Sequence, residues 1–407
     1  MTQDRKYDIV VWGATGFTGN YVAEYLASYS SKEDIRWAIA GRDINKLKLM
    51  AEKLGHNSIP IIQADINNAK SMNAMAASTK VICSTAGPFA ILGTPVIEAC
   101  IREKTDYCDI TGETHWIKKI IERFHDQALA DGLKIVHCCG FDSIPSDMGV
   151  YQLQKESFQK FGEYCHTIKM RVRAAKGKLS GGTYASMRNI MEDIRKDPSL
   201  VSSLKDPYSL NPANQKNGPP QRDLDKVIYD KELSTWIAPF VMEAINTRIV
   251  RRSHALRNAP YGHEFKYNEA IMTGKGLRGK MKGIAITIPL AVMMAARPGN
   301  FFNGILNRFL PKPGDGPTEK EVRAGFYILN FYGFTLGGKR MILKWKGNQD
   351  PGYGSTSMML AQSAICLAKD RSQLPNTYGV LTPSVAMEEK LMDRLLSHAE
   401  IKVEIKD

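Results

Sequence analysis

The sequence predicts an α/β protein in which a doubly wound parallel sheet is followed by a second, mixed α/β domain. Three observations carry that expectation. Short runs of β-branched residues alternate with helically spaced segments from Tyr7 to Cys138, giving six strands. Such alternation is the pattern of parallel strands joined by crossover helices. The first run breaks into three glycines spaced three apart, Gly13, Gly16 and Gly19. From Thr167 the period changes, with Ile168, Met170 and Val172 alternating with Lys169, Arg171 and Arg173. That reads as an antiparallel strand with one apolar and one charged face. At 407 residues, 43% of them hydrophobic, the chain exceeds one typical domain and can build more than one core. The division expected is 1–150 for the parallel sheet, 151–349 for the mixed domain and 350–407 for a return onto the first.

The first strand, around Ile9, Val10 and Val11, has the β-branched character of a buried parallel strand, and Asn20 to Ala27 carries apolar residues at helical spacing. Gly13, Ala14, Thr15, Gly16, Phe17, Thr18 and Gly19 therefore occupy a strand-to-helix turn. By analogy with dinucleotide sites, the first glycine permits the turn, the second lets backbone approach a pyrophosphate, and the third lets helix and strand pack closely. The free amides and positive end of the helix then face the phosphates. The spacing is one residue longer than the usual fingerprint, so these roles are assigned by analogy. A second strand, Arg36 to Ala40, stops at Gly41-Arg42, where such folds meet the adenosine ribose. A guanidinium there pairs with a 2′-phosphate, so Arg42 points to NADP over NAD. Asp43 follows, either as a carboxylate for ribose hydroxyls or as the N-cap of the next helix.

The alternation continues with helix Ile44 to Leu54, strand Ile59 to Ala64, helix Ala69 to Ala77, strand Lys80 to Ser84 and helix Pro95 to Arg102. Strand Asp106 to Ile110, helix His115 to Ala130 and strand Lys134 to Cys138 complete it. Ligands of such sheets bind at the carboxyl ends of the strands. Asp65, after the third strand, is placed either to accept from an adenine amino group or to cap a helix. Thr85, Ala86, Gly87 and Pro88, leading to Phe89, form a turn that brings bare backbone over the ribose and pyrophosphate.

The formal charge of +13 attracts nucleic acid, anionic membrane and acidic ligands alike. No basic run is interleaved with aromatics and no zinc-finger or RNA-binding motif occurs, so no nucleic-acid partner is expected. Seven scattered cysteines and the polar stretch Met1 to Lys6 favour a reducing, intracellular compartment and free thiols. His137, Cys138 and Cys139 alternate faces on a strand, and no second pair has ligand spacing, so no metal is expected.

Several segments together resemble the saccharopine dehydrogenase-like oxidoreductases. They are Val11 to Gly19, Ala40-Gly41-Arg42, Thr85 to Phe89, Tyr107 to Glu113 and Gly140 to Asp147, joined near the C-terminus by Asp350 to Met358 and Gly379 to Pro383. The branch resembled contains trans-acting enoyl reductases of bacterial lipid synthesis and their eukaryotic relatives. The resemblance implies a Rossmann NAD(P)-binding domain, a mixed α/β domain closing over the nicotinamide, and a chain that returns to the first domain at its end. It also implies an oxidoreductase acting on a small molecule of lipid-like or polyketide-like kind.

In the second domain, Ser180 to Ser186 is a glycine turn entering a helix, either a cap or a site for an anionic or carbonyl group of the substrate. Pro207, Pro212, Pro219 and Pro220, between Asp197 and Gln221, mark a long surface loop, a lid or an insertion. Arg248, Arg251 and Arg252, and then Lys275, Arg278, Lys280 and Lys282, supply much of the positive charge. The second group precedes the uncharged stretch Gly283 to Ala296, too short to span a bilayer. With Phe301, Phe302, Ile305, Leu306, Phe309 and Leu310, the segment 283–310 is either a buried helix or dimer face, or a peripheral contact with a membrane or lipid droplet. Lys312 to Thr318 reads as a linker, Phe326 to Phe334 and Gly338 to Trp345 as a hairpin, and Thr356 to Lys369 and Met387 to His398 as helices.

The chemistry expected is hydride transfer from NADPH to an activated C=C, imine or carbonyl. Tyr184, Tyr353, Asp142 and His115 lie in loops that can face a cleft, which makes them the candidate proton donors. A Tyr-x-x-x-Lys pair is absent after Tyr184, where Arg188 takes the fourth place. The alternative is a non-catalytic nucleotide-binding sensor or scaffold at a lipid surface.

Overall fold

The computed structural model describes residues 5–55, 59–177, 181–295 and 317–406. The chain begins β1 (Tyr7–Trp12), α1 (Phe17–Tyr29), β2 (Trp37–Gly41), α2 (Ile44–Lys53), β3 (Ile61–Gln63), α3 (Ala69–Ala77) and β4 (Thr79–Ser84). It continues α4 (Phe89–Leu92), α5 (Thr94–Glu103), β5 (Asp106–Asp109), α6 (Thr114–Ala130), β6 (Lys134–Val136) and α7 (Ile144–Phe161). Then come β7 (Cys165–Lys176), α8 (Gly181–Lys196), α9 (Leu200–Lys205), β8 (Ile228–Asp230), β9 (Thr235–Ala238), α10 (Glu243–Leu256), β10 (Lys266–Gly274) and α11 (Gly276–Ala295). The chain closes with α12 (Glu319–Arg323), β11 (Phe326–Thr335), β12 (Arg340–Gly347), α13 (Thr356–Lys369), β13 (Gly379–Leu381), α14 (Pro383–His398) and β14 (Ile401–Lys406).

Two seven-stranded sheets result. The first is parallel throughout, in the order β13-β6-β5-β4-β1-β2-β3, so β1 lies between β2 and β4 with Val10 opposite both Ala38 and Ile82. Every residue of β1 is buried, as a strand covered on both faces requires. Ile9 and Val11 face a core shared with α1, α13 and the second sheet, while Val10 and Trp12 face the one built by α3, α5 and α6. The Rossmann-like α/β fold and its mixed second domain are thus as the sequence led one to expect.

The second sheet runs β14-β12-β11-β7-β10-β9-β8. β7 is longer than the alternation suggested and is antiparallel only to β11, since its other neighbour, β10, runs parallel to it. Its charged face is not all solvated either, because Arg171 is buried and donates from Nη2 to Asp230 Oδ2 at 2.9 Å. The hairpin forms as β11 and β12, antiparallel, with Phe331 opposite Leu343. α13 is buried along its length except at Lys369 and lies against α1, β1, β4 and β5, whereas β14 pairs with β12 in the second sheet.

Two stretches of basic residues meet different fates. Arg248, Arg251 and Arg252 lie buried on α10, not on the charged surface their composition suggested. They reach the carbonyls of Leu204, Pro207 and Leu210 in turn, strapping the proline-rich loop to the helix. α11 is the reverse case. Gly279 and Gly283 face inward, where a Cβ built on Gly279 would lie 2.3 Å from Gly274 O and one on Gly283 would lie 2.8 Å from Val227 Cγ1. Leu277, Met281, Ile284 and Ile288 are instead 74%, 56%, 39% and 54% exposed. Residues 296–310 of the segment first singled out lie outside the described residues.

Candidate active site

The carboxyl end of β1 turns at Gly13, whose φ of +82° suits glycine. A Cβ there would stand 2.9 Å from the Cβ and the amide nitrogen of Ala86, and one on Gly19 would stand 2.2 Å from Gly13 O. At both positions the protein's own packing demands glycine. At Gly16 a Cβ would meet only Gly13 O, at 3.2 Å, with nothing else within 4 Å. That side of the bend is open. Gly16 is the N-cap of α1 and has no side-chain capping bond, so the amides that begin this 13-residue helix face outward with its positive end. Ala14 is buried, Thr15 is exposed, and Phe17 and Thr18 are half-buried. Tyr353 packs edge-on against Phe17 with ring centroids 4.5 Å apart, which places this candidate donor beside the glycine bend.

The flanking loops complete a rim. Thr85 donates its hydroxyl to Trp12 O and Gly13 O, each at 3.1 Å, tying the end of β4 to the bend. Ala86 and Pro88 are half-buried and Gly87 is exposed. At the end of β2, Arg42 is exposed and its side chain has no bond or ion pair among the described residues. Asp43 accepts from the amides of Asn45 and Lys46 at 3.0 and 3.1 Å, so it caps α2. Asp65 accepts from the Asn67 amide at 2.9 Å in a local turn, and Asn68 caps α3.

The ends of β5 and β6 are held by buried polar groups. Asp109 accepts from the Tyr107 hydroxyl and from the amides of Thr111 and Cys138, and lies 2.8 Å from His137 Nδ1. The fully buried Glu113 accepts from Phe89 N at 2.8 Å, Ala90 N at 2.9 Å and Ser186 Oγ at 2.8 Å. It thereby joins the turn after Pro88 to α8. His115 lines a cavity of about 510 Å³ with Trp116 and Asp193, its Nε2 3.2 Å from Asp193 Oδ2, and burial lowers its pKa. The Tyr184 side chain lies outside the described residues.

Asp142 follows β6, in the loop that leads to α7. Its carboxyl faces Gly112, on which a Cβ would lie 3.8 Å from Asp142 Oδ2, 3.8 Å from Met242 Cε and 4.0 Å from Ile245 Cγ2. Asp142 is half-buried, and desolvation beside those apolar groups pushes its carboxyl up to about 7. Beside it Ser143 donates to Asn246 Oδ1, and Asn246 donates to Glu269 Oε2, both at 2.9 Å. Burial raises Glu269 to about 7 and Glu243 to about 8. Glu113, Asn246 and Glu269 were missed in the sequence. Only Glu113 carried a signal, its place directly after a strand of a parallel sheet.

Residues 9–136 match the saccharopine dehydrogenase NADP-binding domain. Over 410 residues the chain is 37% identical to the trans-acting enoyl reductase of Mycobacterium tuberculosis, covering 96% of each. It is also 37% identical over 409 residues to that of Mycobacterium leprae, covering 97% of this chain and 96% of the relative. Of solved structures, the apo saccharopine dehydrogenase (L-Glu forming) of Saccharomyces cerevisiae aligns over 98% of this chain and 100% of its own, with a TM-score of 0.57 and 11% identity. That likeness is one of fold. With the two enoyl reductases matched almost end to end, the chain belongs to the saccharopine dehydrogenase-like family and is an NAD(P)-dependent oxidoreductase similar to trans-acting enoyl reductases.

Proposed function

We propose that this protein is an NADPH-dependent reductase that delivers hydride to an activated C=C, an imine or a carbonyl in a lipid-like or polyketide-like substrate. The observation that carries the reading is the open side of Gly16 above an uncapped helix start, between two glycines that packing explains. Residues 13–19 and 85–88 would hold the pyrophosphate and adjoining ribose by main chain. Asp65 flanks the adenine end. Arg42 supports the phosphate-bearing form, because it is exposed and unpaired among the described residues while Asp43 is engaged as a cap. The nicotinamide supplies the hydride when bound. Calorimetric titration with NADPH and NADH, followed by NADPH oxidation with a 2-enoyl thioester, an imine and an aldehyde, tests the reading. Tight NADPH binding with turnover of one of them is expected. Binding without turnover on any would favour the sensor alternative.

A peripheral contact with an anionic lipid surface is a second reading, favoured by α11. Among the described residues no helix is long and apolar enough to cross a membrane. The exposed Leu277, Met281, Ile284 and Ile288 recur at helical spacing beside Lys275, Arg278, Lys280 and Lys282, with no acidic residue between 275 and 295. Sedimentation with anionic vesicles is expected for the protein and lost in a Leu277→Asp/Ile288→Asp variant. Equal sedimentation of both would remove this reading.

A further inference from the structure

We propose that Asp142 is the proton donor of the reduction, a role that rests on the reductase reading above. The three described side chains able to serve are separated by where the fold puts them. Tyr353 packs on Phe17 at the glycine bend, at the phosphate end of the rim. His115 lines the cavity beside α8 and faces Asp193. The Tyr184 side chain lies outside the described residues. Asp142 and His115 both follow strands of the parallel sheet, β6 and β5, at the end where such sheets take their ligands, but His115 turns to Asp193 whereas the Asp142 carboxyl faces Gly112. The second domain approaches it there through Met242 and Ile245.

Its surroundings suit an acid that gives up a proton at neutral pH. The carboxyl makes no hydrogen bond or ion pair among the described residues, and its neighbours across Gly112 are a thioether and an isoleucine methyl. The elements packed around it carry Cys138 on its own segment, Asp109 and Glu113 beyond β5, and, on α10, Glu243 with the buried Arg248, Arg251 and Arg252. The three arginines are taken up by the carbonyls of Leu204, Pro207 and Leu210 and by Asp223, and none is paired with Asp142. The raised value of about 7 follows from that enclosure and leaves the acid half protonated near neutrality. The loop is fixed by the bonds from Ser143 through Asn246 to Glu269, so the carboxyl is held by backbone without being bonded itself.

The step balances. Hydride leaves NADPH and forms the new C–H bond, the π electron pair moves to the neighbouring carbon, nitrogen or oxygen, and that atom takes the proton of Asp142. NADP⁺ and the Asp142 carboxylate result, and solvent returns the proton.

The test compares wild type, Asp142→Asn and Asp142→Glu, using NADPH and the N-acetylcysteamine thioester of 2-butenoic acid, with an imine and an aldehyde as further probes. Asp142→Asn is expected to bind NADPH within about twofold of wild type and to lose turnover by at least ~100-fold. Its residual rate should lack the fall above pH ~7 seen in the wild type, and Asp142→Glu should recover part of the rate. Infrared titration of the ligand-free protein should show one carboxyl titrating near neutrality that Asp142→Asn removes. Asp142→Asn turning over like wild type with its pH limb intact, or no such carboxyl in the titration, overturns the assignment alone. A wild-type protein that binds NADPH and reduces none of the probes overturns the reductase reading and this assignment with it.

Discussion

Gly19 stands so close to Gly13 that a Cβ built on it would lie 2.2 Å from the Gly13 carbonyl oxygen and 2.8 Å from Thr85 Oγ1. No rotamer relieves a clash between Cβ and backbone, so Gly19→Ala must push α1 off β1 and is expected to cost about 2–3 kcal/mol in urea unfolding. Gly16 differs. Its φ of −74° and ψ of 165° are open to any residue, and a Cβ there meets one atom at 3.2 Å. Gly16→Val should therefore keep stability within about 1 kcal/mol of wild type and yet abolish dinucleotide binding. A Gly16→Val protein that binds NADPH normally would remove the phosphate from this bend.

Arg42 makes a separate claim about which dinucleotide is held. A charge-assisted pair with a 2′-phosphate is worth about 1.5–3 kcal/mol, so Arg42→Ala should weaken NADPH by roughly 10- to 100-fold and leave NADH nearly unchanged. Affinities of both, measured by quenching of protein fluorescence, decide it. Equal weakening would mean that the guanidinium stacks on adenine and does not read the phosphate.

Arg252 is buried and donates to Leu210 O and to Val380 O, the latter at 2.7 Å, so one guanidinium ties the proline-rich loop and β13 to α10. Arg252→Met keeps much of the volume but leaves two buried carbonyls without donors. We expect a loss of about 3 kcal/mol, against less than about 0.5 kcal/mol for Lys275→Met on the exposed start of α11. Urea midpoints measured for the two variants compare them directly, and similar small losses would show the strap to be dispensable.

What was legible beforehand follows the range of the interactions. Six parallel strands and the glycine bend were readable because β-branched runs, glycines and helix spacing are local in sequence. The start of α1 was placed three residues late, at Asn20 and not Phe17, because its first turn faces the open bend and shows no apolar stripe. β13 has three residues, too few for any period to register. The arginines on α10 looked like surface charge because the loop carbonyls they bond lie 42 to 44 residues away, and carbonyls leave no trace in composition. Glu113 is similar, since Ser186 reaches it from 73 residues further on. Asp43 was the reverse, an ambiguity between ribose and cap that only two short backbone bonds could resolve.

The buried carboxyls set how stability depends on pH. Burial raises Glu269 to about 7, against about 4.3 for an exposed glutamate. Between those values the folded protein keeps a proton that the unfolded chain has lost. Its contribution to stability is therefore full below pH ~4, falls as pH rises through the window, and is gone above ~7. One such group contributes a slope of at most about 1.4 kcal/mol per pH unit, and Glu243, raised to about 8, extends the fall. Glu269→Gln stays neutral at every pH and can still accept from Asn246 and donate to the Tyr267 hydroxyl, two of the groups that Glu269 bonds. Unfolding in urea from pH 4 to 9 should show a flatter profile for this variant, with its largest gain over wild type near pH 8. Parallel profiles for the two proteins would mean that Glu269 ionises in the fold as it does in water, and that the seam beside Asp142 is wetter than its enclosure implies.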